Sequence, residues 1–258
     1  MLFNQLDPIR LFYIYILEGS VLVMFLVLGV KILKRDTQRL NLMFACFYLF
    51  AALGIMMNFI YVPLSVVSGY ERTVLVLNIL TIFLVAFSMA FLVGSQLIIL
   101  KSTMVFNTAK QCLLLLGYAL LNSTLFLFLG YNGVVFNEES EWIAAFSLPF
   151  YLYLMVLLTL VGIIPTLYLA FTIRGKMENE ILKKRWNHFI FGILLIIFFM
   201  YTTYTFNFIN GTAARGAIMA ISGLFGVSLL GVVVVGAYQI YYGVGKQMGS
   251  SNAPIAED

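Results

Sequence analysis

One histidine, two cysteines and charge on only 10% of its 258 residues leave this chain poorly equipped for acid–base or metal chemistry. His188 alone cannot supply bis-histidine haem ligation or a histidine-rich zinc site within one chain. No HExxH, P-loop or GxSxG pattern occurs, and the acids Glu178 and Glu180 stand among lysines. No lysine falls between Arg215 and Gly243, which excludes a retinal Schiff base in the middle of a last span. No catalytic residue, metal or cofactor is therefore expected, and the chain is read as a non-enzyme. Cys46 and Cys112 both lie inside apolar blocks and read as inert packing thiols rather than a disulfide pair. No aromatic–basic interleaving of a nucleic-acid-binding kind is present. No period of 20–50 residues repeats. Pro63 closes the second apolar block, whereas Pro149 opens the fifth and Pro165 lies inside it, so blocks one to three do not mirror five to seven.

What the chain has in abundance is apolar surface. It is 62% hydrophobic, with a mean hydropathy of +1.01; a soluble domain carries about a quarter charged residues. Each membrane crossing needs ~20 apolar residues, and the blocks at 11–33, 41–63, 73–100, 112–131, 148–173, 186–209 and 215–243 supply seven. The expected fold is an all-α integral membrane bundle of seven transmembrane helices over 1–243, with a disordered cytoplasmic tail at 244–258. The opening MLFNQLDPIR lacks the basic start and cleavage site of a secretory signal, so the first block is expected to remain as a helix.

Orientation follows from the basic residues. Lys31, Lys34, Arg35 and Arg39 follow the first block, Lys101 and Lys110 the third, Arg174, Lys176, Lys183, Lys184 and Arg185 the fifth, and Lys246 the seventh. Arg10, Arg72 and Arg215 fall on the other side, so twelve of the 15 Lys and Arg share one face. That face is predicted to be cytoplasmic, with the N-terminus outside and the C-terminus inside a multi-pass protein of the cell membrane. The densest stretch, RGKMENEILKKRWNH from Arg174 to His188, is expected to be a loop in water. There Lys176, Lys183, Lys184 and Arg185 would meet anionic lipid headgroups or a cytoplasmic partner protein. Tyr61, Tyr70 and Tyr131 at outer ends, and Trp186, Tyr238, Tyr241 and Tyr242 at inner ends, read as two aromatic belts, with His188 a headgroup-level anchor. The run ESEWIAAF, from Glu139 to Phe146, reads either as a short interfacial helix anchored by Trp142 or as an ordered acidic loop.

Polar residues inside the blocks are the candidate site. Glu18 sits in the outer half of the first span, where a carboxyl group must be paired, protonated or turned to a wet interior; Arg215 is its candidate charge partner. Asn58, Asn78, Asn122 and the series Tyr201, Tyr204 and Asn207 put hydrogen-bonding groups at outer or central depth on four more helices. Singly, each is adequately explained by interhelical hydrogen bonding. Together with Glu18 they predict an outward-facing cavity for a small ligand, cationic or hydrogen-bonding. Nearer the inner face, Ser95, Gln96, Tyr238 and Gln239 read as satisfied packing, with an inner-leaflet lipid site or a gate for helix movement as the alternative. Gly216, Ala220 and Gly223, and separately Ser222 and Gly226, form small-residue faces suited to close helix packing or to a homodimer seam. Pro165 is expected to kink the fifth span. Asn210-Gly-Thr matches a glycosylation acceptor in a very short loop.

The layout over 11–243 resembles that of seven-helix receptors and of the membrane-sensing segments that precede some histidine kinases. The likeness lies in topology, not motif. The third span ends SQLIILK where a DRY triplet would stand, and the seventh reads VVVVGAYQIYYG where NPxxY would stand, so no site residue carries over. The resemblance implies an outward receiver that signals through its cytoplasmic loops, with any kinase on a partner. Two other classes remain open at this point: a small-molecule or ion carrier or channel, and a non-catalytic subunit of a membrane complex.

Overall fold

The computed structural model describes residues 11–35, 37–137, 140, 142–212 and 215–245, with the backbone alone for residues 13, 215–227 and 245. In hydrocarbon every peptide group must find its partner within the chain, which makes helix the available form for long apolar runs. Seven result: α1 Ile14–Arg35, α2 Arg39–Leu64, α3 Glu71–Val105, α4 Thr108–Gly130, α5 Leu148–Lys176, α6 Glu180–Asn210 and α7 Arg215–Ile240. The first six are long and apolar enough to cross a membrane, and α7 is apolar through its described part. The ends of α1, α3, α5 and α7 that precede the lysine-rich connections form what is called here the basic end. The opposite end carries the connection between α4 and α5.

The helices outrun the predicted spans at the basic end. Between Lys176 and Glu180 only residues 177–179 are non-helical, so the stretch read as a loop is two helix ends and a tight turn. Asn179 makes the turn by accepting the Ile181 and Leu182 N–H groups on Oδ1 at 2.9 and 3.2 Å, which satisfies donors that start α6. Hydropathy marks where apolar side chains stop; a helix whose backbone is already bonded can continue into water. In the same way α3 runs to Val105, broken locally where Ser102 adopts φ 62°.

At the other end the structure replaces the interfacial helix with a two-stranded antiparallel hairpin, β1 Val134–Val135 and β2 Ala145–Phe146. Ser140 N–H donates to Asn137 Oδ1 at 2.8 Å, and Asn137 N–H to Ser140 Oγ at 3.1 Å. Such local bonds compete with helix formation, and Trp142 follows at φ 59°, outside helical space.

Prolines inside helices leave a carbonyl four residues back without a donor. For Pro165 that carbonyl is Val161, and Tyr118 of α4 donates its hydroxyl to it at 2.5 Å. A π turn at Leu158–Ile163 directly precedes this proline. For Pro63 the carbonyl is Phe59, reached by the Tyr15 hydroxyl at 3.4 Å. Each proline is thus tied to a tyrosine on a neighbouring helix.

Helices α6 and α7 meet backbone to backbone. A Cβ at Gly192 would meet the Gly236 carbonyl oxygen at 2.5 Å, and one at Gly243 would meet the Phe189 backbone nitrogen at 2.7 Å. The small-residue faces named from sequence lie where α7 side chains are not described. One belt assignment is corrected. Trp186 is buried, its indole N–H donating to the Ala170 carbonyl at 2.7 Å. His188 Nδ1 lies 2.7 Å from Gln239 Oε1, joining α6 to α7. Cys46 and Cys112 are free thiols. Arg10, Lys246 and the remainder of the tail lie outside the described residues.

Candidate functional site

The π turn Tyr13–Glu18 ends α1's irregular first turn and delivers Glu18 toward α2. Its Oε2 accepts from Asn58 Nδ2 at 3.1 Å. The predicted partner Arg215 is described in backbone only, so the contact seen is with an amide on α2. One helix further, Asn78 of α3 is 3% exposed and donates through Nδ2 to the Tyr61 hydroxyl at 3.1 Å.

These residues line one cavity of ≈ 150 Å³ between α1, α2, α3, α6 and α7. Of the predicted site residues, Glu18, Asn58, Asn78, Tyr204 and Asn207 lie on its wall. Their spacing explains why. On α6 the lining positions are Ile196, Phe199, Met200, Thr203, Tyr204 and Asn207, the three-and-four alternation of a single helix face. Tyr201 breaks that pattern. Tyr204 already stands at the edge of that face, and Tyr201, three residues before it, lies about 60° further round, toward α5, where its hydroxyl pairs with Thr159. Asn122 is also outside the cavity: it is buried on α4, donating to the Tyr118 carbonyl at 2.9 Å.

The wall is graded in polarity. Among the described residues, the Oδ1 atoms of Asn58 and Asn78 are buried and accept no hydrogen bond. Buried amide oxygens without donors are uncommon and destabilising. Both belong to the half nearer the hairpin. Deeper, the Thr81 hydroxyl is taken up by the Leu77 carbonyl at 3.0 Å and the Ser88 hydroxyl by Val85 at 2.6 Å. The remaining deep wall, including Phe25, Phe47, Met89 and Val233, is apolar.

The hairpin reaches two of the lining tyrosines. Phe136 meets Tyr61 edge-on with ring centroids 5.8 Å apart, and Phe146 meets Tyr204 at 6.4 Å. Asn210, at the end of α6, donates weakly to the Ser140 and Ile143 carbonyls at 3.5 and 3.4 Å, holding the hairpin against that helix.

Sequence reasoning placed Tyr61 only in an aromatic belt and missed Thr81 and Thr203 as lining residues. Extending each polar position by threes and fours along its own helix would have found them. At the basic end Lys176 and Lys184 are exposed, Arg185 is half-buried, and Lys183 pairs with Glu180 at 3.1 Å. No family model matches the chain, and no curated protein matches it.

Proposed function

We propose that the chain is a multi-pass sensor or receptor of the cell membrane, oriented with its hairpin end outside and its basic end in the cytoplasm. A small ligand would occupy the cavity from outside. The observation that carries this reading is that five polar residues, far apart in sequence, share one cavity in which two buried amide oxygens lack donors among the described residues. The orientation is supported by the sorting of lysine and arginine. Helix α6 runs unbroken from Glu180 to Asn210, so Tyr204 and Asn207 stand on the same rod as Lys183, Lys184 and Arg185. A ligand that binds two positions of that rod with different affinity would shift their populations. The basic end would pass the shift to a cytoplasmic partner protein or to the lipid surface.

A carrier is the competing reading, and one observation favours it. Gln96, further toward the basic end on α3, is fully buried with neither amide atom bonded among the described residues, a second polar step beyond the apolar wall. Thiol labelling separates the two. In a background lacking Cys46 and Cys112, a Thr81→Cys thiol is expected to react with a membrane-impermeant reagent applied to the hairpin face alone. Reaction from both faces would establish alternating access and overturn the sensor reading; reaction from neither would remove the outward cavity.

A further inference from the structure

Two unpartnered acceptors and a carboxylate at one end of an otherwise apolar cavity say something about what fits it. We infer that the cavity takes an unbranched primary alkylammonium, its head among Glu18, Asn58 and Asn78 and its chain directed toward Met89. This rests on the cavity being a ligand site, and it adds the chemical class of the ligand.

The donor and acceptor inventory sets the head group. Asn58 and Asn78 already use their Nδ2 groups as donors, to Glu18 and Tyr61, and each is left with a buried Oδ1 that accepts nothing among the described residues. Asn78 is 3% exposed and its oxygen is buried. A carboxylate is acceptor-only when ionised and has room for about four hydrogen bonds, so Asn58 is one of several donors that Glu18 can hold. An ammonium carries three donors and no acceptor, matching the two amide oxygens and the carboxylate one for one. A carboxylate ligand would set like charges together, and an alcohol brings a single donor. The Asn58 amide orientation is fixed chemically, because its NH₂ faces a carboxylate oxygen.

The shape and lining set the tail. From Asn78 to Met89 the wall extends eleven positions along α3, which at 1.5 Å per residue is ~16 Å. A volume of ≈ 150 Å³ spread over that length is narrow; in compact form the same volume holds a benzene-sized molecule. The deeper hydroxyls are bound to their own helices, so the tail meets Phe25, Phe47, Met89 and Val233. Burying a cation at this depth is tolerable only beside an acid and hydrogen-bond acceptors, and the head-group end supplies both.

Calorimetric titration of the full chain in lipid nanodiscs, with empty nanodiscs subtracted, tests the inference. The probes are n-hexylammonium, 1-hexanol and hexanoate, which share a chain and differ in head group. The expected result is saturable binding of hexylammonium at least about tenfold tighter than hexanol, with no saturable binding of hexanoate, since charge-assisted hydrogen bonds are the strong ones. An Asn78→Leu variant is expected to lose most of that preference while hexanol binding persists. Equal or tighter binding of hexanol or hexanoate would overturn the ammonium class and leave a ligand cavity standing. Saturable binding of none of the three would overturn the cavity as a ligand site as well. The comparison between probes on the unaltered protein needs no variant to fold.

Discussion

Replacing Gly192 with leucine is expected to prevent assembly of the bundle, whereas Gly231→Leu, on the same α6–α7 pair, is expected to leave it intact. The contrast follows from what each new side chain would meet. At Gly192 the first added carbon would lie 2.5 Å from the Gly236 carbonyl oxygen and 2.7 Å from the Ile240 nitrogen. Those are backbone atoms of a neighbouring helix and cannot rotate aside. Relief requires α7 to move away, and with it the His188–Gln239 contact and the hydroxyl of buried Tyr48, which donates to the Ala237 carbonyl at 2.8 Å. Overpacking a core with side-chain freedom costs about 1–3 kcal/mol; a clash with two backbone atoms of the neighbouring helix is expected to exceed that. At Gly231 an added Cβ meets nothing within 4 Å. Size-exclusion profiles and thermal unfolding of the two variants in mild detergent check the pair. A well-folded Gly192→Leu protein would contradict the seam.

Filling the cavity is expected to separate ligand binding from stability. Ala51 is 5% exposed and lines the wall between Phe47 and Ile55. An Ala51→Leu side chain has space to enter, and atoms that now face a void gain contacts on that side. The midpoint of thermal unfolding is therefore expected to rise, by the equivalent of about 1 kcal/mol when the new carbons pack without strain. Ligand binding is expected to disappear, with affinity lowered at least about a hundredfold, because the tail's volume is occupied. A merely structural void would give the first effect without the second. Thermal unfolding with and without n-hexylammonium reads both: the unaltered protein should be stabilised by the probe and the variant should not.

Much of this architecture was legible in the sequence because lipid imposes few choices. Block lengths and the segregation of lysine and arginine were enough to expect seven helices, and the structure has six of membrane-spanning length and character plus the apolar α7. The polar stretch Arg174 to His188 misled because charge reports where water is, whereas the helix ends where Asn179 offers a better partner to the backbone. The hairpin was hidden because its decisive bonds run between Asn137 and Ser140 and leave no hydropathy signal. Within the site, Glu18, Asn58, Asn78, Tyr204 and Asn207 stood out as polar atoms in apolar surroundings. Tyr201 and Asn122 stood out equally and yet face other helices. Polarity identifies a residue that needs a partner; only the packing angle of its helix decides which partner it meets. The proline carbonyls make the same point, since nothing in the spacing of Tyr118 and Pro165 predicts their contact through Val161.

Polar groups from α1, α2, α3 and α6 line a common interior chamber. An electron-microscopy map of the protein in nanodiscs, sharp enough to place side chains, measures this directly. The predicted result is that Glu18, Asn58 and Asn78 face that chamber, with non-protein density beside the two amide oxygens. Glu18 turned to lipid, or the three side chains sealed in a dry, fully packed contact, would contradict it.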